Sequence, residues 1–84
     1  MNTQYILNII RNALYNVPDI SHKIFRSDSI PENISDTIIL LSSIDYIDLM
    51  LCIEQQFCTE FPNECMIPSK ISFNELAERI NKYV

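Results

Sequence analysis

Residues able to do covalent or proton chemistry are few in this chain. Ser42 and Ser43 stand side by side just ahead of an apolar-periodic run. A serine at a helix start has two uses. Its hydroxyl can cap free backbone N–H groups, or, left exposed, it can carry a phosphate ester that those N–H groups favour. The other candidates are Cys52, Cys58, Cys65 and the single histidine, His22. The cysteines lack CxxC spacing and His22 lies far from them in sequence, so a zinc site is not expected. A Cys–His nucleophile pair would make the chain a small hydrolase, but no third group or pocket for it is visible. Reduced, partly buried thiols in a cytoplasmic protein are the expected reading.

Three stretches have the periodicity to position these residues. Ile6, Ile9, Ile10, Ala13, Leu14 and Val17 form one helical stripe, with Asn2 or Thr3 as cap and Pro18 as its stop. Tyr46, Leu49, Met50, Ile53 and Phe57 form a second. That helix should run from about Ser43 to Cys58, with Asp45 in its first turn complementing the helix dipole. Phe73, Leu76, Ala77 and Ile80, continued by Tyr83 and Val84, form a third, opened by the capping-box pair Ser72 and Glu75. Between the last two helices, Pro62–Met66 is expected to make one helical turn with proline at its first position. In the long first connection, Asp19 could cap a short turn over Ile20–Arg26, with Ile20, Ile24 and Phe25 facing inward. Ile38–Leu41 reads as an extended segment covering the core without a partner strand. With no glycine in the chain, tight hairpins are disfavoured. The expected fold is all-α: a small four-helix bundle with three main helices, one short helix and a long first loop.

Eighty-four residues, 48% hydrophobic and 20% charged, suit one small globular domain spanning residues 1–84. Such a chain buries only about 60% of its unfolded surface, too little for a deep cleft. A binding or carrier module is expected rather than an enzyme. Eleven acidic against six basic residues give a net charge of −5, which disfavours nucleic acid. No apolar run approaches bilayer length, and no secretory signal is visible. From Ser27 to Ser69 there are eight acidic residues and no Lys or Arg. A one-sign field around the Ser43 helix would steer the domain to basic protein surfaces.

The run Ser43-Ile44-Asp45, Ile47-Asp48-Leu49, Ile53-Glu54, Phe57 and Phe61-Pro62 resembles the signature of acyl carrier proteins over about Ile39–Pro62. In that family a serine followed by Leu or Ile opens the second helix of a four-helix bundle. The resemblance implies that Ser43 carries 4′-phosphopantetheine, donated from coenzyme A by a phosphopantetheinyl transferase. It further implies delivery of an acyl thioester among loading ligases or synthases, in specialised lipid, polyketide or related biosynthesis. Asp45, Ile47, Asp48, Leu51 and Glu54 would then meet basic docking surfaces on those partners, with the carrier acting as a monomer. Ile47 and Leu51 lie off the Leu49–Ile53–Phe57 line and either form an exposed patch or widen the core stripe. Ser42 stands where the family often has Asp, which keeps Ser42 as an alternative attachment residue. Leu40 and Leu41 replace a common upstream glycine, and the first loop is longer than in housekeeping fatty-acid carriers. The rival reading is a helical protein-interaction adaptor with the same fold and no prosthetic group.

Overall fold

The computed structural model describes residues 1–84. Helix α1 spans Thr3–Leu14, its start capped by Asn2, whose Oδ1 accepts from Tyr5 N at 3.2 Å. Its inner stripe, Ile6, Leu7, Ile10, Ala13 and Leu14, is buried. Each large side chain there contributes about 1.5–3 kcal/mol through burial. Pro18 ends this run and opens the next helix.

That next helix, α2, Pro18–Phe25, is the main departure from expectation. The first connection holds a full eight-residue helix rather than a capped turn. Pro18 takes the first helical position, where its missing N–H is no loss. Asp19 therefore lies inside the helix, and Val17, with no side-chain bond, stands at the cap position. Ser21 is buried, and its hydroxyl donates to Leu14 O at the end of α1, a carbonyl that also accepts from Val17 N. Ile20 is buried, Ile24 and Phe25 are half-buried, and the Phe25 ring stacks on Phe73 with centroids 6.0 Å apart. Arg26 closes α2 in the left-handed region at φ 56°.

The chain then crosses the bundle. The Arg11 guanidinium donates to Pro31 O at 2.7 Å and Ile30 O at 2.9 Å. Ile34 and Ile39 insert into the core. The extended segment around Ile38 does have a partner, contrary to expectation. Ile38 forms an isolated antiparallel bridge with Ser72, Ile39 N donates to Ile71 O, and Phe73 N donates to Thr37 O.

Helix α3, Ser43–Phe57, follows and ends at Cys58, left-handed at φ 53°. Phe57 and Phe61 meet edge to face, and Phe61 N donates to the Glu54 carboxylate at 2.7 Å, which folds the chain back under the helix. The short turn Asn63–Met66 is a 3₁₀ helix, with Pro62 as its cap rather than its first residue, and it buries Cys65. Helix α4, Phe73–Asn81, is capped by Ser72, whose Oγ accepts from Glu75 N at 3.1 Å. Its buried face is Phe73, Leu76, Ala77 and Ile80. Tyr83 and Val84 do not extend that stripe. They lie beyond the helix end and are exposed, the Tyr83 hydroxyl donating to the Glu64 carboxylate.

The result is an all-helical bundle of four α-helices and one 3₁₀ turn, with α1 packed against both α3 and α4. One cluster of 19 buried residues forms the core. No helix is long and apolar enough to cross a membrane.

Candidate functional site

The two serines at the start of α3 have separate jobs. Ser42 is the cap: its Oγ accepts from Asp45 N at 3.2 Å, and its carbonyl accepts from Tyr46 N. Ser43 is the first helical residue, exposed, and its hydroxyl bonds to no protein group. The N–H groups of Ser43 and Ile44 also have no protein partner, as expected of the open end of a helix. Tyr46 and Met50, one and two turns on, are buried and fasten the helix to the core. Ser43 thus presents an uncommitted hydroxyl on a helix anchored in the core, beside two N–H groups without a protein partner.

Around it the predicted contact residues divide. Ile47 and Leu51 are 39% and 46% exposed, so they form a surface patch rather than a wider core stripe. Asp48 is exposed beside them. The spacing of these residues did not single out Ile44, which at 74% is the most exposed large apolar side chain of the molecule and extends the same face toward Ser43. Its place between Ser43 and Asp45, outside the buried Tyr46–Met50–Ile53 line, is the signal that would have found it. Glu54 lines a groove with Leu51, and its carboxylate accepts from Phe61 N at 2.7 Å. Asp45 is also committed: its carboxylate pairs with Lys23 at 2.7 Å and its side chain is only 19% exposed. The Lys23 hydrogen bond holds the Asp45 carboxyl below the ordinary carboxylate range, and the same bond raises the Lys23 amine.

Lys23 belongs to α2, and its neighbours on that helix were not part of the sequence picture of this site. His22, Lys23 and Arg26 line an open groove of about 470 Å³ with Leu40, Leu41, Ser42 and Asp45. The acidic window that begins at Ser27 is real in sequence, but in space the start of α3 has basic side chains on one flank.

The cysteines stand apart from this arrangement. Cys52 points its thiol at Ala13 O, Cys58 is exposed at the end of α3, and burial, with Glu64 adding to it, pushes the Cys65 thiol up. None of the three lies near His22 in the groove.

No protein-family model, no curated protein and no solved structure matches this chain.

Proposed function

We propose that this chain is an acyl carrier protein, with Ser43 as the attachment residue for 4′-phosphopantetheine. One observation carries the reading. Ser42 alone does the capping, which leaves the Ser43 hydroxyl uncommitted and exposed at the open end of a helix anchored in the core. Attachment would join Ser43 Oγ to the phosphorus of coenzyme A that bears the pantetheine. The pyrophosphate bond breaks, 3′-phosphoadenosine 5′-phosphate leaves, and the hydroxyl proton passes to the transferase. When attached, the group supplies a terminal thiol that holds an acyl chain as a thioester.

This chain contributes presentation rather than catalysis. Ile44, Ile47 and Leu51 offer apolar contact next to Ser43, and Asp48 offers a charge to basic partner surfaces. The partners on this reading are a phosphopantetheinyl transferase and the ligases or synthases that load and unload the arm. A cytoplasmic monomer working in specialised lipid or polyketide synthesis fits the acidic charge and the small core.

Intact mass tests the reading. Incubated with coenzyme A and a broad-specificity phosphopantetheinyl transferase, wild type and Ser42→Ala should each gain one phosphopantetheinyl group, and Ser43→Ala none. Gain by Ser43→Ala but not by Ser42→Ala would move the site to Ser42. No gain by the folded wild-type protein with several transferases would favour the adaptor, for which the exposed Ile44–Ile47–Leu51 face is the supporting observation.

A further inference from the structure

Helix α2 is a concentration of positive charge in an acidic molecule. Lys23 pairs with Asp45 at 2.7 Å, and His22 Nδ1 lies 3.4 Å from Asp28. Arg26, which caps the end of α2, has neither an ion pair nor a side-chain hydrogen bond, although it lines the same groove as Lys23 and Ser42. The other cations lie away from this groove. Arg11 is spent on loop carbonyls and Arg79 bonds Ser69. An unpaired guanidinium beside an exposed ammonium is an arrangement suited to a phosphate oxygen. The Lys23 side chain is 57% exposed, while Asp45 is largely covered.

We infer that the groove lined by His22, Lys23 and Arg26 receives the phosphate of the arm on Ser43, with Lys23 leaving Asp45 to contact it. This rests on the carrier reading and adds a role for α2, which no part of that reading requires. Before attachment, Lys23 and Asp45 tie α2 to the first turn of α3. After attachment, Lys23 and Arg26 hold the arm at its root, so that its direction is set by this chain, and Asp45 is released as a free acid on the docking side. Asp19 and Asp48, which share the adjoining groove with Lys23 and Asp45, are the other charges facing the pair.

Carboxyl carbon resonances of Asp45, followed against pH with and without the arm, test this. Attachment should raise the Asp45 midpoint in wild type, because the Lys23 bond is lost. In Lys23→Gln only direct repulsion by the phosphate remains, so the rise should be smaller. The phosphorus resonance of the arm should also move on Lys23→Gln and on Arg26→Gln. Equal rises in wild type and Lys23→Gln, or a phosphorus resonance indifferent to both substitutions, overturns the inference while leaving the carrier reading intact. Failure to add the arm at Ser43, seen by mass before any titration, removes the carrier reading and this inference with it. Lys23 and Arg26 are exposed, so the variants should fold.

Discussion

Helices α3 and α4 begin with the same device and put it to different uses. Each has a serine cap, Ser42 or Ser72, accepting from the N–H of an acid three residues on, Asp45 or Glu75. The residue after the cap then differs. In α4 it is Phe73, fully buried, and the first two N–H groups of the helix are taken by Thr37 O and Ser35 O. In α3 it is Ser43, exposed, and the first two N–H groups have no protein partner. Aligned on their caps, Ile44 faces Asn74, Ile47 faces Ala77, and Asp48 faces Glu78. One helix start is closed by the crossing segment and is part of the core. The other is left open, with apolar and acidic side chains on one side and Lys23 and Arg26 on another. Equal capping with unequal closure separates a helix start built into the core from one left accessible.

The largest effect should come from the first helical position itself. Phe73→Ala should cost about 3–5 kcal/mol, because it empties a filled core site and removes the stack with Phe25. Ser43→Ala should change stability by less than about 0.5 kcal/mol. Urea unfolding of the two variants measures both. A stability loss in Ser43→Ala comparable to a lost cap would mean that its hydroxyl is structural, and the contrast would fail.

Next in size is the charge one turn along. Asp48→Lys should slow arm addition about tenfold at low salt, through loss of steering. Glu78→Lys, at the matching place on α4, should leave the rate unchanged. Helical content by circular dichroism should be the same in both. Equal slowing would mean that only net charge matters, and the α3 face would lose its special standing.

How far this contrast was readable in advance depended on the range of the interactions. Helices α1, α3 and α4 followed from apolar spacing, and Ser72 followed from its capping pattern, because both are local. Which of Ser42 and Ser43 would cap was not readable, since a shift of one residue in the helix start exchanges their roles. At α2 the spacing shows only a turn, because its apolar residues, Ile20, Ile24 and Phe25, make little more than one turn and the buried Ser21 breaks the pattern. That polar residue is satisfied inside because its hydroxyl reaches Leu14 O, a partner supplied by a different helix. The bridge from Ile38 to Ser72 and the bond from Lys23 to Asp45 join residues far apart in sequence. They decide which helix start is closed and which charge lies beside the open one. Local spacing places the start of α3, but the charges that flank it are set by tertiary contacts.

The two caps themselves give a middling effect that should be equal. Ser42→Ala and Ser72→Ala should each cost about 1 kcal/mol, the usual worth of a serine cap. They should differ only in function: Ser42→Ala loosens the base on which Ser43 stands and should slow arm addition, whereas Ser72→Ala should not. A much larger loss for Ser72→Ala would show that closure by Thr37 and Ser35 depends on its cap, and that the two devices are not alike.

The smallest effect concerns the pair that flanks the open end. Asp45 has its carboxyl held below the ordinary range by Lys23, so its contribution is present above the unfolded-state value and is lost as pH falls through the folded-state value. Lys23 is raised, so its contribution is present below the ordinary lysine value and is lost as pH climbs through the raised one. The tie between α2 and α3 therefore operates between those limits, across the neutral range. Both groups meet solvent, so the difference between wild type and Lys23→Gln should be small at neutral pH and smaller still in high salt. It should vanish once the pH falls below the folded-state value of Asp45. Denaturation midpoints of the two proteins, measured across the acid limb at low and high salt, give that curve. A gap that persists in acid would assign the role of Lys23 to its alkyl stem packing on α3. On the carrier reading proposed above, a screened, pH-bounded tie is one that Lys23 could leave at little cost. The closed start of α4, held by backbone bonds and a buried phenyl ring, has no such freedom.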